Sequence, residues 1–145
     1  MPIRRTTSDS EVSGYIEEKT QRFRQACINA FIYVGERAVR ESRQNHRYKD
    51  QTGNLTSSVG YCVLEDGKVV SESSFDVVNS GTQGSTEGRE FLHRLISEHS
   101  DGIVLILVAG MEYAAYVEAK NLNVLDSAEQ LAERELPRLF KDLKL

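Results

Sequence analysis

Residues 55–78, LTSSVGYCVLEDGKVVSESSFDVV, decide the fold class. Apolar and polar residues alternate on both sides of Glu65-Asp66-Gly67, the period-two pattern of strands half-buried on a sheet. On the first side the apolar set occupies odd positions: Leu55, Val59, Tyr61 and Val63. On the second side odd positions lead again, with Val69, Phe75 and Val77 against Glu72 and Asp76. Two strands, about 55–64 and 68–78, joined as a hairpin are expected. A two-residue Asp66-Gly67 loop sets Tyr61 opposite Glu72 and mixes the faces. A three-residue loop with Gly67 left-handed in a bulge sets Val63 opposite Val69 and Leu55 opposite Val77, so the burial pattern predicts that form.

Upstream, Thr52-Gly53-Asn54-Leu55 reads as a turn, because Gly and Asn tolerate left-handed backbone angles. Before it runs the longest periodic segment, about 11–46. Ile16, Phe23, Cys27, Ala30, Val34 and Ala38 recur at helical spacing, and Arg22, Gln25, Asn29, Glu36, Arg40, Arg43 and Arg47 follow the opposite face. This predicts one long amphipathic helix. Ile32 and Tyr33 fall off its core stripe and suggest a second contact surface. Residues 1–10 read as a flexible N-terminal arm and 11–145 as a single domain.

Downstream, residues 79–88 read as a polar, glycine-rich solvent loop, and about 88–99 as a short helix with Phe91, Leu92, Leu95 and Ile96 on one face. Ile103 to Val108 is apolar on both alternating sets, which predicts a central strand covered on both faces. Met111 to Lys120 reads as a short helix or helical turn. The last helix is expected to start at Asp126, with Glu129 completing a capping box, and to run to about Leu143. Its core side is Ala128, Leu131, Ala132, Leu139 and Leu143, and Pro137 predicts a kink or break near Leu136. The order α-β-β-α-β-α gives an α+β fold: a long N-terminal helix packed on a small, mainly antiparallel sheet, with a short middle helix and a C-terminal helix.

At 145 residues the chain has the size of one domain and a core that needs neither disulfide nor metal. The net charge of −4 argues against a surface devoted to nucleic acid. That total hides a split. Residues 1–49 hold ten basic and six acidic side chains (+4), and the remainder eight basic and sixteen acidic (−8). No apolar run approaches the ~18–20 residues that cross a bilayer, so no membrane partner is expected. The N-terminal charges precede no apolar stretch, so a secretory signal is not read and a cytoplasmic product is expected. Cys27 and Cys62 lack metal-ligand spacing and read as reduced core thiols.

The chemical inventory is sparse. His93 and His99 stand six apart, not at the three or four of a helical metal pair, and no metal or cofactor is expected. Gly81-Thr82-Gln83-Gly84-Ser85 lacks both the nucleophile elbow and a phosphate-binding ending. A pair such as Glu112 and Glu118 arises by chance among sixteen acids. The row Arg40, Arg43, Arg47 fits a solvated face, since Glu36 precedes Arg40 by four residues. It also fits an electrostatic contact with an acidic neighbour or with nucleic acid in a channel.

Two segments then carry a resemblance. Behind the long helix stands Thr52-Gly53-Asn54-Leu55-Thr56-Ser57-Ser58-Val59. Late in the chain stands Val108-Ala109-Gly110-Met111-Glu112-Tyr113-Ala114-Ala115-Tyr116-Val117-Glu118, followed by the terminal helix. From about 20 to 143 the chain resembles the tail-completion, or head–tail connector, proteins of long-tailed phages. Their pattern is Thr-Gly-x-Leu followed by basic and serine residues, then Tyr-Ala-x-Tyr-Val-Glu before Gly-Thr. Here Thr56 stands where a basic residue is common, Ala119-Lys120 replaces Gly-Thr, and 79–99 looks like an insertion.

The resemblance implies a structural protein without catalysis or cofactor, encoded by a phage or prophage. It implies a ring of copies between the head connector and tail tube proteins, in the virion neck or tail after assembly in the bacterial cytoplasm. DNA would be met at most by passage through a channel. The residues expected at subunit contacts are Arg40, Arg43 and Arg47, meeting a neighbour's acids, with Tyr113, Tyr116 and Glu118 of the late motif. Two alternatives stay open: a small hydrolase-like enzyme using His46, Glu112 or Glu118, and a nucleic-acid accessory protein using the basic helix.

Overall fold

A stretch of 36 residues without proline, Asp9–Gln44, forms helix α1 in the computed structural model, which describes residues 8–111 and 114–142 apart from the Tyr116 side chain. Ser8 caps it by accepting the Glu11 N–H, and Asp9 and Glu11 place negative charge in the first turn. The helix therefore starts two residues inside the expected arm, whose residues 1–7 lie outside those described. Its buried residues are Ile28, Ala30, Val34, Gly35, Ala38 and Ser42. Ile16 and Phe23, at core spacing in the sequence, are 58% and 40% exposed. Arg24 already meets Asp66 at the hairpin tip (3.2 Å), so the turns before it extend past the sheet, where Tyr15 and Ile16 are exposed.

After α1 come α2 (Asn54–Ser57), β1 (Val59–Glu65), β2 (Lys68–Glu72), α3 (Thr82–Ile96), β3 (Ile103–Ala109), α4 (Ala114–Ala119) and α5 (Asp126–Lys141). The sheet order is β2-β1-β3, and both neighbouring pairs are antiparallel. Side chains alternate across β1: Tyr61 and Val63 pack on Ile28, Phe31 and Ile32 of α1, while Cys62 and Leu64 pack with Leu92 of α3. Leu105 and Leu107 of β3 join Val34, Ala38 and Leu131, tying α5 to α1 on the same face. The architecture is thus α+β, with α1 and α5 on one face of the sheet and α3 on the other. The central strand is β1. The all-apolar β3 lies at an edge instead: helices cover both its faces, but among the described residues a strand flanks it on only one side.

The hairpin solves its register differently from the sequence reading. Asp66 and Gly67, with φ of 50° and 82°, make a two-residue turn that pairs Glu65 with Lys68 and Leu64 with Val69. The register then slips so that Val63 meets Ser71 and Cys62 meets Glu72, leaving Val70 as the extra residue. The bulge expected in the loop sits inside β2, where it brings Ser73 opposite Tyr61: each donates its backbone N–H toward the other residue, at 2.9 Å. Residues 55–57 are helical rather than extended, and β2 stops at Glu72, so Leu55 does not pair with Val77. Val69 and Val77 face solvent at 45% and 50% exposure, whereas Phe75 turns inward, buried beside Gly60.

The glycine-rich 79–88 segment is largely helical: α3 begins at Thr82, with Gly84, Ser85 and Gly88 buried. α5 starts at Asp126 as read, but no capping box forms. Nor does it break near Leu136; it runs through Pro137 to Lys141. Leu136 and Leu139 packed on the Val34–Ala38 cluster, and Phe140 against Phe31 (5.9 Å between rings), hold the last turns and offset the one missing donor.

Central placement makes β1 sensitive to alkali. Burial, then the hydrogen bond to Glu36, pushes the Tyr61 hydroxyl up to about 12, and burial, then the Glu72 charge, pushes the Cys62 thiol up to about 11. Both groups ionise more readily unfolded than folded. Their contribution is whole below the unfolded values near 9–10 and is lost as pH rises through about 11 and 12. Thermal melts are therefore expected to fall above pH 9, and Tyr61→Phe to flatten the upper part of that fall. An unchanged slope in the variant assigns the effect elsewhere.

Candidate functional site

The two segments that carry the resemblance converge. Leu55 packs in one apolar cluster with Met111, Ala114, Tyr48 and Val124, and Val117 adds to it. Around this cluster the chain between α1 and β1 is pinned by its own polar side chains. Asp50 accepts the N–H of Gly53 (3.1 Å) and of Thr56 (2.8 Å), closing the turn in which Gly53 takes φ 80°. The Tyr48 and Thr56 hydroxyls lie 3.0 Å apart, and Ser57 Oγ accepts the Val78 N–H at 2.8 Å. Asn54 Oδ1 accepts the Gly84 N–H at 3.0 Å, so the expected solvent loop is the start of a helix docked on the Thr-Gly-Asn-Leu turn. Asp50 and Asn54 escaped the sequence reading as anchors; the one signal for them is the Asp/Asn-rich turn composition around Gly53.

Arg43 belongs to this junction. Its guanidinium donates to the carbonyls of Thr56 (3.1 Å), Val59 (3.4 Å) and Asp76 (2.5 Å). Burial lowers its pKa from the ordinary arginine value, with the Asp76 charge opposing that shift. Arg40 is exposed and borders a groove of ≈ 640 Å³ together with Arg43, Glu36, His46, Glu72 and Asp76. Arg47 lies beyond the end of α1 and borders a different hollow with Glu41, Asn121 and Asp126, its N–H donating to Leu122 O at 2.8 Å. Arg40 and Arg43 therefore border one groove, and Arg47 borders another. The basic helix also meets acids of its own chain, through Arg24 to Glu65 and Asp66 and Arg37 to Glu135 (3.6 Å). These pairs are part-exposed, so their stabilisation is small.

Glu118 is structural as well. Its carboxylate accepts the N–H groups of Val124 (2.7 Å), Leu125 (2.6 Å) and Asp126 (2.8 Å). α5 has no side-chain cap at its own N-cap residue, and a carboxylate from α4 supplies the negative charge its first turn favours. Glu118→Ala is expected to lower stability by about 1–3 kcal/mol in urea unfolding, the cost of orphaned donors bonded to a charge. A midpoint equal to that of the parent chain rules the cap out. Tyr113 and Glu112 lie outside the described residues, and Tyr116 is placed by its backbone in α4.

His46 stacks on Tyr48 (4.1 Å between rings) with Nδ1 3.0 Å from the Tyr48 carbonyl oxygen, and His93 Nε2 meets Glu72 Oε1 at 2.8 Å. Among the described residues no group of three or more His, Cys, Asp or Glu is placed to hold a metal ion. No helix among them is long and apolar enough to cross a membrane. Exposed apolar groups include Tyr15, Ile16 and Phe23 on the first turns of α1, Tyr33 farther along it, Val69 and Val70 of β2, Val77 after it and Phe140 of α5. A second groove, ≈ 700 Å³, runs between β3 and α5. No family model, curated protein or solved structure matches the chain.

Proposed function

We propose that this chain is a structural subunit of a phage or prophage particle, completing the tail or joining the head connector to the tail tube within a ring of copies, without catalysis. The observation that carries the reading is the convergence of its two motif segments. Leu55 of the first and Met111, Ala114 and Val117 of the second share one apolar cluster, although they are far apart in sequence. Arg43 and Glu118 brace that cluster from α1 and α4. The motifs thus act as one structural junction, which suits a protein that works by shape and leaves its outer surfaces for contacts.

Induced host cultures provide the test. Particles purified from them are expected to contain several copies of the chain, with antibody label at the head–tail junction. Deleting its reading frame is expected to leave filled heads and tails unjoined or tails unfinished. Infectious particles that lack the chain overturn the proposal, as does a turnover abolished by His46→Ala alone with the fold intact.

A further inference from the structure

The sheet has two open edges. Among the described residues no strand pairs with the outer side of β2 or of β3. β3, Ile103–Ala109, carries no charge, proline or bulge along its seven residues, three of the devices that blunt an exposed edge. The ≈ 700 Å³ groove beside it is lined by Phe31, Leu105, Leu136 and Pro137, with Glu129 and Glu133 among the lining residues. The opposite edge, β2, presents Lys68 and two valines, Val69 and Val70, each 45% exposed.

We propose that β3 of one copy pairs with β2 of a second copy of this chain, so that the sheet continues head to tail and Lys68 meets the acidic groove beside β3. This deepens the ring reading and rests on it for closure into a ring; the pairing of edges is argued from the strands themselves.

Three features fit the two edges together. Direction comes first: β2 and β3 are each antiparallel to β1, so they run parallel to one another. A copy repeated sideways by rotation therefore brings β2 alongside β3 as a parallel pair. Level follows from Glu65, which pairs with Lys68 on one side and Ile103 on the other. An unstaggered repeat then sets Lys68 of the second copy beside Ile103. Face is fixed by Arg24 of α1, whose Nε lies 3.5 Å from the Glu65 carboxylate. Lys68, directly opposite Glu65, projects on that same face, where Glu129 and Glu133 border the groove.

A symmetric β3–β3 contact would bring Glu129 and Glu133 of both copies together, and like charges across an interface oppose association. The unlike pairing of β3 with β2 matches acid to base. It is also the kind of contact that repeats into a ring when its rotation closes.

Engineered disulfides distinguish these arrangements. The background is Cys27→Ser; Cys62 is fully buried and stays. In a Val69→Cys/Val104→Cys variant, which keeps Lys68, both thiols stand at the level of Leu64 and within one copy are separated by β1, roughly 9–10 Å apart, too far to join. Oxidation at high protein concentration is expected to give a ladder of linked dimers, trimers and larger species, and neither single variant is expected to give one. Dimers from Val104→Cys alone, or from Val69→Cys alone, overturn the unlike pairing, and no linkage in any variant overturns the contact. Val70→Arg alters an exposed residue and is expected to abolish the ladder without changing the melting temperature; a ladder that persists also counts against the proposal. The chain found in particles but forming no ladder sinks this contact and keeps the ring reading. A ladder from a chain absent from particles does the reverse.

Discussion

Replacing Gly84 with alanine is expected to destabilise the fold by about 3 kcal/mol, the upper part of the range for overpacking a well-filled site. A Cβ at this position would stand 1.9 Å from the carbonyl oxygen of Asn54, 2.6 Å from its carbonyl carbon and 2.7 Å from its Cα. These are backbone atoms of α2 and no rotamer change moves them aside. Relief requires α3 to draw back from the turn at residues 53–57. That retreat stretches the Gly84 N–H bond to Asn54 Oδ1 (3.0 Å) and the Ser85 hydroxyl bond to Phe75 O (2.6 Å). Phe75 then loosens its seat on Gly60, and the damage spreads to β1. The comparison variant is Gly14→Ala, where a Cβ meets nothing within 4 Å on an exposed part of α1. There alanine is expected to stabilise by roughly 0.5–1 kcal/mol through helix propensity. Urea midpoints moving in opposite directions for the two variants confirm the close approach at Gly84; equal shifts would falsify it.

The same glycine shows where sequence reading reaches its limit. Gly81, Gly84 and Gly88 look like loop composition because glycine weakens an isolated helix. Their actual constraint comes from contacts with residues 53–58, about thirty positions earlier, and no local pattern encodes it. α1 was legible because its stripe repeats over many turns, yet where burial begins depended on where the sheet lies beneath it. The hairpin was legible as two strands around Asp66-Gly67. The location of its extra residue was not, because a bulge in the loop and one at Val70 relieve the same mixing of faces. Glu118 was legible as a motif residue but not as a cap, since the donors it satisfies lie six to eight residues ahead, across the α4–α5 connection. At Gly84 and Glu118 alike, the partner lies outside the residue's own element.

Arg43 carries that distinction to an experiment. Arg43→Met keeps the length and apolar stem of the side chain but leaves three carbonyl oxygens without a charged donor: those of Thr56, Val59 and Asp76. Thr56 and Val59 are buried, so water does not replace the guanidinium there without opening the junction. A loss of about 3 kcal/mol is expected, the scale of removing a charged hydrogen-bond donor from partly buried partners. Arg43→Lys is expected to recover only part of this loss, because one ammonium lacks the planar fork that bridges carbonyls from separate segments. Arg40→Met, three residues earlier and exposed, is expected to stay within about 0.5 kcal/mol of the parent chain. A row of arginines serving a neighbour would give the opposite pattern, with unfolding unchanged in both variants and association weakened in both. The contrast between Arg43 and Arg40 in denaturant midpoint therefore decides whether the charge on this helix holds its own chain or another.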